Sequence, residues 1–511
     1  MHAEKDMAAG PATVDVCIIG DAKPGPLELG RADALNARTQ QYLEVAGLLD
    51  EILPIGLKCN TSSTFAEGEF KSRQNAWWVG LEHALHKNFL MIGQPVIEDM
   101  LTSKLDGLVR FNEQVVSVTE YVDSVQVATQ SGSKVRSRYA VGADGTRSLV
   151  RKQIGASFTG EKPEMKWAVL DTFIETDFPL CPEIITFQHD GQSRVSWIPR
   201  ERGMCRFYVL LEGQVTQALA EDSIRKHLAP HTVAFKKTEW YSTYDVKERI
   251  ASTFISKDGG GRIILAGDAA HVHSVNGGQG LNTGMSDAFS LAWRLATAIK
   301  AKNLLQPGAL KKVIRSYDTE RRNTARDVID VAARLVRDTV QTAKQYVSTI
   351  EKNAAYITGM GVTYSEFGSP LVKASEHGIW KAGNRCPDMV LSKSDGKSDG
   401  KSDGKKTRLY TEATYGKFIV LQIGANATAT TTLGLSDMAV PYSIHPQADT
   451  TDAPTRGSHS DGETAVHTYT ADWVSEDDDG FYVVVRPDMY LGYVGRDVEE
   501  VKQYLGELYT S

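Results

Sequence analysis

Three glycine-bearing segments hold the residue types most able to do chemistry. In "RIILAGDAAHVHSVNGGQGLNTGMSDAFSLAWRL", Arg262–Leu295, an apolar run ends at Gly267 and Asp268. Gly277, Gly278 and Gly280 then precede a stretch where Leu281, Met285, Ala288, Ala292 and Leu295 recur at steps of three and four. That spacing predicts strand, loop and helix, with the glycines at the helix N-terminus. Backbone N–H groups there, free of side-chain bulk, bind anions. Asp268, at the end of its strand, can accept hydrogen bonds from a ribose or ribityl hydroxyl, or simply cap the next turn. In "YAVGADGTRSLVRKQIG", Tyr139–Gly155, a strand meets a tight turn at Asp144 and Gly145, and a helix starts at Ser148 with Arg151 in its first turn. In "VDVCIIGD", Val14–Asp21, a short apolar strand ends at Gly20. A dinucleotide-binding fold expects a glycine loop, a helix, a second strand and an acid roughly 20 residues on. Here the acid, Asp21, follows the glycine at once. His271 and His273 lack a third ligand nearby and read as structural residues, with no metal.

The elements that must position these residues follow from periodicity. A second long helix runs from about 310 to 340. From about 165 to 250, short β-rich runs such as "KWAVLDTFIET" and "MCRFYVLLEG" are broken by Pro, Gly and Asp, which predicts a mostly antiparallel sheet inserted between two parts of an α/β domain. "KSDGKSDGKSDGK", 393–405, can bury nothing and reads as a surface linker. Beyond it, "KFIVLQIG" and "FYVVVRPDMYLGYVG" predict strands and 498–509 a helix. The expected divisions are 14–164, 165–250, 251–345, 346–406 and 407–511, with a large acidic, Ser/Thr-rich loop at about 446–479.

With 511 residues, 41% of them hydrophobic and 24% charged, the chain suits a soluble protein of about two or three domains. A net charge of −7 argues against a general nucleic-acid binder. Cys17, Cys59, Cys181, Cys205 and Cys386 are scattered, as in a reduced cytosolic protein. The N-terminus shows no secretory signal, and no apolar run reaches the roughly 18 residues of a membrane span, so a cytoplasmic protein is expected.

Together the segments resemble the class A flavoprotein aromatic hydroxylases. "GADGTRSLVR" is similar to that family's second FAD fingerprint, which also serves NADPH, and "LAGDAAHVHSVNGGQGLNTGMSDAFSLAWRL" to its third. "SYDTERR", Ser316–Arg322, matches the helix that follows, and "GNRCPD", Gly383–Asp388, the closing motif. The resemblance spans about Val14 to Asp388. The remainder looks like the thioredoxin-like domain of the phenol 2-monooxygenase subgroup, without redox cysteines, and so is expected to serve packing or dimerisation.

The resemblance implies a para-hydroxybenzoate-hydroxylase-like α/β fold, FAD, NADPH as cosubstrate, a phenolic or polyketide-derived substrate with O2, and a homodimer. It implies cofactor contacts at Gly20, Asp21, Arg31, Gln94, Asp144, Gly145, Arg151, Gly267, Asp268, Gly278, Gln279, Gly280, Leu281 and Asn282. It also maps the family's phenol-deprotonating aspartate onto Asp33, and an arginine and a tyrosine of the substrate site onto Arg200 and Tyr208. A base near the hydroxyl makes the ring a phenolate and a better nucleophile. The tyrosine can orient it and the arginine stabilise its charge. The plain reading leaves Asp33 in an ordinary loop and pairs Arg200 with Glu201.

Two departures stand out. Val275 replaces the family's usual proline. The second is larger: everything between Gly20, the first glycine of the fingerprint, and Asp21, the acid ending its second strand, is absent. Neighbouring parallel strands lie about 4.8 Å apart, so an end-to-end join is geometrically simple. It leaves a sheet face uncovered and removes the helix N-terminus that holds the pyrophosphate. Either the gap comes from exon assignment or splicing, or the chain is real as written and binds FAD poorly. A redox-neutral isomerase or cyclase, or a non-catalytic partner, on the same scaffold are the rival readings.

Overall fold

The computed structural model describes residues 12–509 apart from 77–80, 180–181, 191, 275–276, 340–342, 394–404, 426, 428–437, 448–466 and 478. Val275, the SDGK repeat and most of the 446–479 loop therefore lie outside the described residues.

The first strand, Ala12–Gly20, pairs in parallel with Lys134–Ala143 along its length, so that Gly20 lies opposite Ala143. On the other side, Lys134–Ala143 pairs with Ile263–Leu265, also in parallel, with Leu265 opposite Gly142. All three strands thus end at one sheet edge, and the three glycine-bearing turns leave from it. Their cover differs. Ile263–Leu265 is buried throughout, with Leu291 and Leu295 of helix Gln279–Lys300 and Ile314 and Tyr317 of helix Ala309–Thr339 in the same core. The first strand forms the outer edge of this sheet. Its Val14 is 41% exposed and its Ile18 72%.

The expected middle sheet is present and larger than the sequence suggests. Its order is Val233–Asp245, Lys166–Thr176, Cys205–Leu211, Gln192–Pro199, Ile184–His189, Thr61–Ala66, Glu69–Ala76. The last two strands come from outside 165–250. Thr61–Ala66 enters by a parallel pairing with Ile184–His189, the other pairings being antiparallel. Helix Gln217–Leu228 covers one face, packing Ala220, Ile224 and Leu228 against Ala168, Leu170, Phe207 and Val209. Side chains alternate along a strand, so Val169, Asp171, Arg206 and Tyr208 project from the opposite face.

The C-terminal sheet begins before residue 407: Val390–Lys393 pairs with Lys406–Arg408 and with His467–Ala471. The sheet continues through Ala439–Pro446, Phe418–Ile423, Phe481–Val485 and Leu491–Gly495. It is fused to the rest of the molecule. Tyr42 stacks on Phe289 at 4.3 Å within its core. Below this lies a buried ionic cluster. Arg486 donates to Glu320 at 2.7 and 2.8 Å and to Asp488 at 2.7 Å, and Arg294 donates to Glu320 at 2.6 Å. No helix among the described residues is long and apolar enough to cross a membrane.

Candidate cofactor and substrate site

A cavity of about 1130 Å³ opens between the strand ends of the first sheet, the start of helix Gln279–Lys300 and the open face of the middle sheet. Its lining includes Asp21, Arg31, Asp33, Gln94, Tyr208, Gly267, Asp268, Gly278, Gln279, Gly280 and Leu281. The cavity has two ends that can be judged against a flavin dinucleotide.

One end is built around the helix start. Gly278 takes the left-handed conformation (φ 63°) at the N-cap and supplies no side-chain cap. A Cβ on Gly280 would meet nothing within 4 Å. The first-turn N–H groups are thus left free of side-chain bulk at the cavity. The Gln279 amide nitrogen is buried with no hydrogen-bond partner. Asn282 pins the helix start to the neighbouring chain: its amide donates to the Ala34 and Gly278 carbonyls at 2.9 and 2.6 Å, and its oxygen accepts from Asn36 N–H at 2.9 Å. Gly267 (φ 58°) lets the preceding turn approach Gly284 on the helix, a Cβ at Gly267 lying 3.9 Å from the Gly284 Cα. Asp268 opens into the cavity. Burial around it pushes its carboxyl above the usual carboxylate range, against the pull of His271 and Arg31.

Asp287, which the sequence reading missed, holds this loop in place. It accepts from Gly267 N–H at 2.9 Å, from the His271 ring at 2.7 Å and from Arg321, of the "SYDTERR" motif, at 2.8 Å. Burial would raise its carboxyl, but His271 and Arg321 bring it down to about 2. His271 is therefore held by a buried hydrogen bond to Asp287. His273 lowers to about 4 through burial and donates Nδ1–H to the Ser274 carbonyl at 2.9 Å. No group of three potential metal ligands occurs among the described residues.

The other end is built from loops. Asp144 is engaged locally: it caps helix Leu149–Gln153, accepting from the N–H groups of Leu149 and Val150 at 2.7 and 3.1 Å and from the Ser148 hydroxyl at 2.5 Å. Gly145 (φ 71°) leaves room for Asp21, whose carboxylate would lie 3.2 Å from a Cβ there. Arg151 ties the two loops together by donating to the Ala269 and Thr146 carbonyls, both at 2.8 Å. Gln94 clamps the segment carrying Arg31, donating its N–H to the Ala32 carbonyl at 2.9 Å and accepting Ala32 N–H at 3.2 Å. No helix follows Gly20 directly. The next one, Ala37–Val45, has its N-terminus capped by the Asn36 side chain. The residues present thus fit the ring and ribityl portions of FAD, through the open helix start, Gln279 and Asp268. They do not supply a free helix N-terminus for the pyrophosphate beside Gly20.

The substrate face is set by cross-strand rows. Asp171 lies directly opposite Arg206, and Val169 opposite Tyr208. Tyr208 Oη is 3.4 Å from Asp33 Oδ1, and Arg206 Nη1 is 3.4 Å from both Tyr208 Oη and Asp33 Oδ2. That last contact is close enough for charge attraction but misaligned for a hydrogen bond. Asp33 Oδ2 is consequently a buried acceptor without a donor. Burial, reinforced by Asp33, raises the Tyr208 hydroxyl above its ordinary range and keeps it protonated. Arg200 stands elsewhere. It donates to Glu201 at 2.9 and 2.7 Å and to Asp171 at 3.3 Å, and it lines a second cavity of about 720 Å³. The structure thus brings Asp33 and Tyr208 together and places Arg206 beside them, in the position expected of Arg200. The spacing of two along one strand, which puts Arg206 and Tyr208 on one face, is the signal that could have found it.

Residues 11–332 match the family described as FAD binding domain. The FAD-dependent monooxygenase ankC of Aspergillus thermomutatus is 27% identical over 563 aligned residues, covering 96% of this chain and 92% of the relative. The phenol 2-monooxygenase fsqG of Aspergillus fumigatus is 27% identical over 370 residues, covering 67% of this chain and 60% of the relative. Among solved structures, aklavinone-11 hydroxylase with FAD and aklavinone superposes with a TM-score of 0.73 at 18% identity, covering 99% of each chain. The OxyS anhydrotetracycline hydroxylase of Streptomyces rimosus gives 0.70 at 22% identity, covering 97% of this chain and 99% of the other. The match over most of the chain, joined to the helix-start cradle described above, shows that the chain belongs to the FAD-binding family of class A flavoprotein aromatic hydroxylases.

Proposed function

We propose that the chain is an FAD-dependent monooxygenase that hydroxylates a phenolic or polyketide-derived ring, with NADPH as reductant. The observation that carries this reading is Asp33 Oδ2, a buried acceptor without a donor, 3.4 Å from the Arg206 guanidinium in a cavity shared with the open helix start. When bound, FAD would supply an electrophilic oxygen derived from O2. The chain's own residues do the rest. The substrate's hydroxyl proton passes to Asp33 Oδ2. Tyr208 donates a hydrogen bond that orients the resulting phenolate, and Arg206 stabilises its charge. Val169, Trp240, Val272 and Met285, which also line the cavity, provide apolar surface for a ring.

Asp33→Asn should lower hydroxylation by roughly 10²–10⁴-fold near neutral pH. The loss should shrink as pH approaches the phenol's own pKa, where solvent supplies the phenolate. Tyr208→Phe should slow the rate with little such rescue. A pH–rate profile of product formation tests this, and a flat loss in Asp33→Asn would remove Asp33 as the base. Turnover without NADPH would favour the redox-neutral rival.

The reading extends to an absent first glycine loop. Two observations support it: the outer edge of the first strand, unpaired among the described residues, and the lack of a helix directly after Gly20. It includes a C-terminal thioredoxin-like body with a packing role, supported by the buried cluster it shares with helix Ala309–Thr339 and by the lack of any cysteine beyond Cys386. A homodimer is the expected assembly, and light scattering on the eluted protein measures it.

A further inference from the structure

Asp171 belongs to neither of the functional groups expected from the sequence, yet it sits between the two guanidiniums nearest the substrate face. It is 2% exposed and its cross-strand partner Arg206 is 0% exposed. Arg206 donates to both Asp171 carboxylate oxygens at 2.6 Å. The same guanidinium donates to the Arg31 carbonyl. Arg31 occupies a left-handed backbone position (φ 66°) two residues before Asp33. One side chain therefore ties the loop carrying the base to the sheet carrying the tyrosine. On its far side, Asp171 accepts from Arg200 at 3.3 Å, and Arg200 is held in turn by Glu201. Trp240 is the other cross-strand neighbour of Asp171 and lies under Arg206 at 5.3 Å, forming part of the wall between the two cavities.

We propose that Asp171 is a positioning residue: its carboxylate holds the Arg206 guanidinium off Asp33, and so keeps the base free and sets the charge state of a phenol bound beside Tyr208. This rests on the phenol-hydroxylating reading above. The argument is one of competing partners. Arg206 is buried and must be neutralised. With Asp171 present, two aligned bonds satisfy it, and Asp33 Oδ2 at 3.4 Å stays unbonded. With that carboxylate gone, Asp33 is the nearest acid to Arg206, and a modest side-chain shift closes the pair. The base is then occupied, and the site has one negative charge fewer. The charged and titratable groups facing the site are Asp33 and Arg31 from the loop, Arg206 and Tyr208 from one strand and Asp171 from the next. Arg200 and Glu201 stand behind Asp171, and Asp21, Lys23, Arg147, Tyr244, Asp245, Lys247, Asp268 and His273 line the rest of the cavity. In the variant the Asp171 contacts to Arg206 are lost and the Arg206–Asp33 contact closes, while the other groups keep their partners.

The test uses 4-nitrophenol, whose ionised form absorbs visible light, titrated against pH when bound to the full chain without turnover. Asp171→Asn should lower the ionisation midpoint of the bound probe by about one pH unit, tenfold in its ionisation constant. Arg206→Met should raise it by about as much. The double variant should return close to wild type, and Asp171→Glu should stay close to it. A probe midpoint unmoved in folded Asp171→Asn, or a double variant that fails to return, overturns the role of Asp171 alone. A wild-type protein that binds no 4-nitrophenol overturns the phenol reading and this inference with it.

Discussion

Two strands flank Lys134–Ala143 in the same sheet and end at the same edge, yet they live in different surroundings. Ile263–Leu265 is roofed by two long helices, the turn after it is held by Asp287 and Arg151, and the helix start beyond is held by Asn282. Among the described residues the first strand has a neighbour on one side only, and its Ile18 is exposed. The difference shows how far each turn is held by the rest of the chain. The helix-start cradle is fixed by contacts from several distant segments, so it remains formed whatever happens beside Gly20. Beside Gly20 the chain continues without a helix, and the next helix, Ala37–Val45, has its N-terminus occupied by the Asn36 side chain.

That contrast can be broken most forcefully at the buried cluster anchoring the well-covered side. Glu320→Gln leaves Arg294 and Arg486 short of a counter-charge in a fully buried place. It should cost about 3–5 kcal/mol in denaturant unfolding. A near-neutral result would mean that the C-terminal body and the FAD-binding body are not stabilised as one. A matched pair of isoleucines comes next. Ile264→Ala should cost about 2–5 kcal/mol as a buried deletion, while Ile18→Ala should stay within about 0.5 kcal/mol. Equal losses would show that the first strand is covered in solution.

Inserting a glycine loop, helix and strand between Gly20 and Asp21 should tighten FAD binding by roughly 100-fold. Two charge-assisted hydrogen bonds to the pyrophosphate, about 1.5 kcal/mol each, suffice for that. Flavin fluorescence titration of both forms measures it, and equal affinity would mean that the helix-start cradle alone holds the cofactor. The smallest effect concerns acid. Asp287 ionises at about 2 in the folded state, below its unfolded value of about 3.8, because His271 and Arg321 outweigh its burial. Its stabilisation is therefore present above about pH 4 and lost as pH falls towards 2, amounting to about 2 kcal/mol. Denaturant midpoints of wild type and Asp287→Asn should differ above pH 4 and converge below it.

Much of this arrangement was legible in the chain itself. Step-three and step-four apolar spacing located helix Gln279–Lys300, because burial of one helical stripe is a local signal, and the helical stretch expected from about 310 to 340 is helix Ala309–Thr339. Strands Thr61–Ala66 and Glu69–Ala76 were not assigned to the middle sheet, since a parallel pairing with residues over 100 positions away leaves no local trace. The start of the C-terminal sheet at Val390 was hidden for the same reason: the linker separates the strand from its partner at 406–408. At the site, Asp33 and Tyr208 came through family resemblance. Arg200 did not join them, because the adjacent Glu201 and the buried Asp171 hold its guanidinium on the far side of the strand. Arg206 and Asp171 escaped notice because a cross-strand pair is defined by register, which the order of residues alone does not show.

The open edge of the first strand has a colloidal consequence. Among the described residues the strand Ala12–Gly20 is paired on one side only, and no lysine or proline occurs in it. The one charge, Asp15, faces Arg138 of the neighbouring strand at 3.5 Å. Edge strands of soluble proteins are ordinarily blunted by lysine, proline or a bulge because they template further strands. In concentrated solution this edge offers a site for sheet growth between molecules, so the shelf life of the purified protein should be governed by its first strand before its fold is lost.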